Sequence, residues 1–348
     1  MGQMGFFDIE TRYRGLDAKG DPLVKINEII PWESFRTELK AAWRMAPEAR
    51  KSKAGRPPWD EIVMFKTLVL AELYNLSDDQ IEYQIRDRLS FARFLGLGIE
   101  DKVPDAKTVW LYREKLVAAG AMETLFDRFD GHLKEQGYLA QGGQIVDASI
   151  VPVPIQRNGR DENAEIKAGK TPEDWQSKPA KLAQKDVDAR WTKKRGRSYF
   201  GYKNHINVDR THKLIRRYAV TDASVHDSQL LDDVLDPANT ASEVWADSAY
   251  RSKETESKLA DKGLKSRIHR KASRARPLTE REKRGNKTRS RVRSRVEHIF
   301  GDQQNAMGGN LVRTIGLARA KTKIGLKNLA YNMRRMVQLQ SLDMAAAP

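Results

Sequence analysis

Residues 144–153 read QIVDASIVPV. Ile145, Val146, Ile150 and Val151 give the stretch the β-branched, uncharged character of a buried strand, and the single acid within it, Asp147, is thereby fixed at one point on a sheet. The pattern of the chain changes just before it, at Gly142. Downstream, Tyr199–Val208 and Leu214–Thr221 are predicted strands joined as a hairpin turning near Asp209–His212. A helix is predicted from Asp227 to Leu235, a short strand over Glu243–Ala246 and another helix from Ser252. A further helical pattern runs from Val292 to about Asn305, where Gly308-Gly309 breaks it, and a last basic helical stretch passes through NLAYNMRRM. Three early strands, a helix, another strand and a late helix follow the order of an RNase H-like fold. The segment 156–198 is polar, with 12 basic side chains from Arg157 to Arg197, and reads as an insertion.

Upstream of Gly142 the signals are helical. Residues 1–30 read as an extended arm. Pro31 opens an amphipathic run of Trp32, Phe35, Leu39 and Trp43 at helix-like spacing. A basic Gly/Pro loop, KSKAGRPP at 51–58, separates it from a strong helix over Trp59–Tyr74. Ser77 and Gln80 form a capping box for the next helix, and Asp105 caps another over Thr108–Ala118. These short helices suit either a helix-turn-helix-like DNA-binding unit or a docking or dimerisation unit. The predicted organisation is an arm (1–30), a helical domain (31–140), an α/β domain with a mixed sheet flanked by helices (141–306), and a basic helical C-terminal segment (307–348).

Charge divides the same way. Of the 63 Lys and Arg and 47 Asp and Glu, residues 1–140 hold 21 and 23, net −2, and residues 141–348 hold 42 and 24, net +18. An excess confined to one part of the chain points to a polyanion partner there, nucleic acid first. The absence of cysteine excludes a disulfide framework, a Cys zinc site and a Cys nucleophile, and the six histidines show no metal-ligand spacing. The N-terminus lacks a signal-peptide core, and the most apolar stretch, Ile62–Tyr74, is too short to span a bilayer, so no membrane partner is expected.

Asp147 in IVDAS and Asp247 in VWADSAY each follow apolar residues at a predicted strand, and Glu297 in RVEHIFG lies on a helix whose Val296, Ile299 and Phe300 mark a packed face. Three converging carboxylates repel one another unless a cation lies among them, and hard oxygen donors suit Mg²⁺ or Mn²⁺. Two such ions about 4 Å apart activate an attacking oxygen and stabilise the leaving one in phosphoryl transfer. Taken singly, each acid has a plainer role as a turn former or as an ion-pair partner of Arg293 or Arg295. Asp222 in VTDASVHDS is an alternative to Asp247, Asp227 reads as a helix cap, Asp209 as a turn residue and His298 as a helix-surface residue.

At these residues the chain resembles the bacterial DDE transposases of the insertion-sequence-five family. The resemblance is carried by SDDQIEYQIRDRLSFARFLGL, VPDAKTVWLYREKL, IVDASIVPVP, WTKKRGRSYFGYKNHINVD, VTDASVHDS, VWADSAYRS, SRVRSRVEHIFG and LVRTIGLARAKTKIGLKNLAYNMRRM, and so extends over almost all of the chain beyond its first thirty residues. It implies an RNase H-like catalytic domain, a triad of Asp147, Asp247 and Glu297 binding two Mg²⁺ or Mn²⁺, and cleavage by water at the element's end followed by attack of the freed 3′-OH on target DNA. It further implies binding of double-stranded DNA at the terminal inverted repeats, a homodimer or larger assembly on DNA, and a cytoplasmic, nucleoid-associated location. Arg293, four residues before the Glu, is the expected contact near the scissile phosphate. Arg289, Arg291, Arg295 and Lys203 are further expected DNA contacts, with His205 orienting the site; Lys203 and His205 read equally as edge-strand polar residues satisfied locally. Ser290 and Gln304 stand where many such enzymes have Tyr and Lys or Arg, and Arg295 or Lys287 are candidate substitutes. A DNA-binding protein without catalysis and a metal-dependent RNase H-like nuclease are the alternatives.

Overall fold

The computed structural model describes residues 8–44, 57–194, 196–273 and 276–346; the basic loop at 51–58 lies outside them except for Pro57 and Pro58. Contacts divide the chain into two units. One is drawn from residues up to Phe129 and from Leu329 onward, the other from Asp130–Asn328.

The first unit is helical: α1 (Asp8–Ala18), α2 (Pro22–Ile29), a 3₁₀ turn (Trp32–Phe35), α3 (Arg36–Trp43), α4 (Glu61–Leu73), α5 (Asp78–Asp87), α6 (Leu89–Leu95), α7 (Ala106–Ala119) and the start of α8 (Met122–Glu135). Residues 8–29 are therefore helical where an extended arm is expected. Asp21 accepts from the Leu23 amide at 3.0 Å and Pro22 sits in the first turn, where its missing N–H costs nothing, while Leu23 and Ile26 are buried. The helix expected from Trp59 begins at Glu61, because the Asp60 carboxylate caps the amides of Ile62 and Val63. Trp32, Phe35, Leu39 and Trp43 are all buried, as their spacing predicts, and Ser77 and Gln80 form the predicted reciprocal box.

The second unit is built on a mixed sheet of β1 (Gln144–Pro152), β2 (Arg190–Lys194), β3 (Arg197–Asp209), β4 (Ile215–Asp222), β5 (Glu243–Trp245) and β6 (Lys265–Ser266). β3 pairs antiparallel with β1 on one side and with β2 and β4 on the other, while β1, β5 and β6 run parallel. This is the RNase H-like arrangement predicted. The insertion at 156–198 is ordered into α9 (Arg160–Lys167), α10 (Glu173–Gln176), α11 (Pro179–Leu182) and β2. Buried Asp186 ties it to the sheet, accepting from the Tyr202 hydroxyl at 2.7 Å and from the amides of Asp188 and Ala189.

The expected helix over 227–235 is a 3₁₀ turn (Asp227–Leu230) running into the short α12 (Leu231–Val234), and His226 rather than Asp227 supplies its cap. Then follow α13 (Lys253–Asp261), α14 (Glu280–Gln304) and α15 (Leu317–Ala346). α14 starts about three turns before the predicted Val292, where Thr279 and Glu282 form a capping box. Helices cover both sheet faces. Val146, Val244 and Ala246 pack on Leu231, Val234 and Leu259, whereas Val151, Tyr202 and Val220 pack on Ala320 and Ile324 of α15. Gly143, with φ 90°, lets β1 begin against Trp245; a Cβ there would stand 2.4 Å from the indole.

Candidate active site

The parallel register aligns Ile145 with Trp245, which brings Asp147, two residues further along β1, and Asp247, two residues beyond the end of β5, near enough to feel each other's charge. Asp147 is still within β1, while Asp247 follows β5 and leads into a 3₁₀ turn, Ser248–Tyr250. α14 packs with Val296 and Ile299 buried, and this sets Arg293 and Glu297, one helical turn apart, toward the strand ends. The Arg293 guanidinium binds Asp247 Oδ2 at 3.2 Å and Glu297 Oε1 at 3.1 Å.

The three acids differ electrostatically. Burial pushes the Asp147 carboxyl up to about 6, against the opposing pull of Arg293, the Ala148 amide and Lys194. Burial also acts on Asp247, but there the Ser248 hydroxyl, Arg293 and the amides of Ser248 and Ala249 outweigh it and hold the carboxyl below its ordinary value. Glu297 is largely exposed. Burial alone would lower the Arg293 guanidinium, and Asp147, Glu297 and Asp247 together raise it. Among the described residues no three His, Asp or Glu side chains lie close enough to share a metal. Arg293 is the cation among these carboxylates. The donor set consists of hard oxygens, the chemistry that suits a divalent ion, and Asp147, the most desolvated of the three, is the acid that Arg293 does not pair with directly.

Two family models match the chain. The transposase DDE domain covers residues 140–333, more than half of the sequence, and the DUF772 transposase domain covers residues 11–115. The chain belongs to the DDE transposases. No solved structure matches it.

The other residues singled out in the sequence of this transposase have definite places. Lys203 donates to the Val225 carbonyl at 2.7 Å and pairs with Asp227 at 2.8 Å, which holds its ammonium inside the sheet unit. His205 is fully buried, with Nε2 2.9 Å from the Thr221 hydroxyl and Nδ1 lacking a hydrogen-bond partner. Burial lowers it to about 4, so it is neutral at physiological pH. Arg295 donates to the Arg210 carbonyl at 2.8 Å, Arg289 to Asn286 at 3.1 Å, and Arg291 and His298 are exposed. Ser290 meets His269 Nε2 at 3.2 Å, and Lys287 and Gln304 are exposed.

Asp222 caps its own turn, accepting from the Ser224 amide at 2.8 Å, and lies on β4, two strands from β1. Asp209 is more than a turn former. It is fully buried and bonded to Arg216, which also reaches Asp130 at 2.9 Å and the Tyr138 carbonyl at 2.7 Å. Tyr250 was not foreseen. Its hydroxyl is buried without a hydrogen-bond partner, and burial, then the charges of Asp147, Asp227 and Asp247, hold the phenol well above its ordinary value. Its signal in the sequence was its place three residues after Asp247. Among the described residues no helix is long and apolar enough to cross a membrane.

Proposed function

We propose that this protein moves an insertion sequence of the five group: that it binds the terminal inverted repeats of its element, as a dimer or larger assembly in the bacterial cytoplasm, and catalyses cleavage there and strand transfer into target DNA. The reading rests on one observation above all: in a DDE transposase chain, Asp147 on β1 and Asp247 just after the neighbouring parallel strand β5 come to the same part of the sheet, where Arg293 of α14 joins Asp247 to Glu297. Asp147, Asp247 and Glu297 would hold two Mg²⁺ or Mn²⁺. Bound there, the ions supply activation of the attacking oxygen and charge stabilisation of the leaving one.

The chain's own groups do the positioning. Arg293 offers a planar fork beside the acids, suited to a phosphate oxygen near the bond to be cut. Arg289, one turn before Arg293, and Arg291 and Arg295, on the other side of α14, are the further arginines of that helix that would meet DNA, while Lys203 braces the turn that carries Asp227. Tyr250 is buried in the core cluster beside Val146, near enough to Asp147 and Asp247 to feel their charge.

An end-cleavage and joining assay tests the proposal. DNA spanning the inverted repeats that flank the coding region is incubated with purified protein and Mg²⁺ or Mn²⁺. Metal-dependent nicks at the repeat boundary plus joined products, both lost in Asp147→Asn, are expected. Nicks without joined products indicate a nuclease, and tight binding without nicks indicates a DNA-binding protein; either result overturns the proposal.

A further inference from the structure

α14 presents two separate polar faces. Asn286, Ser290, Arg293 and Glu297 lie along the one that meets Arg270, His269 and Asp247. Thr288, Arg289 and Val292 lie along another, with Gly285 one turn earlier, and line a cavity of about 470 Å³ against β5 and β6. Three guanidinium groups reach this cavity from three different parts of the sheet unit: Arg210 from the β3–β4 turn, Arg267 after β6, and Arg289 from α14. Trp245 forms an apolar wall, and the Arg210 guanidinium lies 5.2 Å from the centroid of its ring. Glu243 is the one acid in the lining, 3.8 Å from Arg267.

The cluster is electrostatically costly. Arg289 is held below its ordinary pKa first by burial, then by Arg270 and Arg251 from outside the lining and by Arg267 within it, against a smaller attraction from Glu256. Like charges gathered this way raise the energy of the folded chain unless an anion joins them. Guanidinium forks match phosphate oxygens bidentately. A cavity of this size falls in the range that encloses a small organic ligand, and so has room for a sugar with its phosphate. Arg289 stands one helical turn, about 5.4 Å, before Arg293.

We infer that the cavity between α14 and the β5–β6 edge grips a phosphodiester of the substrate DNA, close along the strand to the one at the carboxylates, through Arg210, Arg267 and Arg289. This rests on the transposase reading. Gripping the strand at a second point fixes which bond stands at Asp147 and Asp247, so the pocket sets the position of the cut.

The test compares full-length wild type, the pocket variant Arg267→Ala/Arg289→Ala, and a control, Arg281→Ala/Lys283→Ala, which removes two charges from the exposed start of the same helix. Binding of a short terminal-repeat duplex is measured against salt, and the cut site is mapped with Mn²⁺. The pocket variant is expected to lose about 1 to 2 from the slope of log affinity against log salt and to cut at displaced or scattered positions, with the control changed less in both. Equal slopes and cut positions for the two double variants overturn the inference. So does saturable binding of a deoxynucleoside monophosphate that the pocket variant loses while its duplex binding is unmoved, since the pocket is then a free-nucleotide site. Wild-type protein that neither binds nor cuts the duplex defeats the underlying reading instead. Should the alanine pair fail to fold, Thr288→Glu, at an exposed position of the lining, takes its place.

Discussion

Arg113 in the helical unit and Arg289 in the sheet unit are both helix arginines withdrawn from water, and their surroundings are opposite. Arg113 forks onto Asp78 at 2.5 and 2.6 Å, and the partner raises its pKa against the lowering effect of burial. Arg289 is lowered by burial and then by three other arginines. The same contrast holds more widely. Arg36 binds Glu33, Asp60 and Glu61, and Arg93 bridges Asp17 and Asp21, all within the helical unit. Such pairing serves the fold, whereas the crowding of Arg289 by other arginines serves it poorly and suits an anion brought from outside. Phosphates are therefore expected at α14.

The largest effect should come from the carboxylates. Glu297→Gln is expected to lower cleavage by about a thousandfold or more, about 4 kcal/mol of transition-state stabilisation, because a metal ligand supplies several kcal/mol there. Glu297 is exposed, so duplex affinity should stay within about threefold, a change of under 1 kcal/mol. A parallel loss of binding would make Glu297 a structural partner of Arg293. Next in size is the buried network in the sheet unit. Arg216→Met leaves Asp209 and Asp130 without their shared cation and should cost about 3–5 kcal/mol in denaturant unfolding. A loss under about 1 kcal/mol would mean the two acids are solvated or protonated, and the contrast between internally paired and outward-facing charge would weaken.

The same contrast governs what could be read from the sequence. Strand β1, the hairpin and the Ser77 box were legible because local pattern and local chemistry agree there. The two aspartates were legible because each ends an apolar run. The start of α14 was hidden: its buried residues are Val296, Ile299 and Gln303, all late in the helix, so Glu280–Arg291 shows charge without apolar period. The Thr279–Glu282 box was the available signal. The helices at 8–29 were missed although Asp21-Pro22 before LVKI is a helix-start signature. Arg210, Arg267 and Arg289 are far apart in sequence and meet only through β3, β6 and α14, so no spacing rule could join them. Asp209 reads as a turn residue because the residues after it, Arg210, Thr211 and His212, are polar; its burial depends on Arg216 and Asp130, which the hairpin and the residues before β1 bring together.

His205 provides a smaller, pH-dependent effect in the sheet unit. Buried and neutral, it has a folded pKa of about 4 against 6.5 when unconstrained, with Asp227 raising it and Lys203 lowering it. Between those values the unfolded chain binds a proton that the folded one does not. Its contribution is fully present above pH 6.5 and is lost as pH falls toward 4, by about 3 kcal/mol for that shift. The difference in unfolding free energy between wild type and His205→Gln should follow that window. A flat difference between pH 4 and 7 would show that the imidazole protonates in place.

The smallest effect returns to the helical unit and isolates what a local signal contributes there. Ser77 accepts from the Gln80 amide at 3.2 Å while the Gln80 side chain accepts from the Ser77 amide at 3.1 Å. Both donors would otherwise be orphans of the first turn of α5. Ser77→Ala removes the cap and should cost about 1 kcal/mol. Because Ser77 carries no charge and only caps a helix, the change should leave the salt dependence of DNA binding as it is. A shift in that slope on Ser77→Ala would mean that α5 itself meets phosphate, so that α14 is not the whole of the DNA surface.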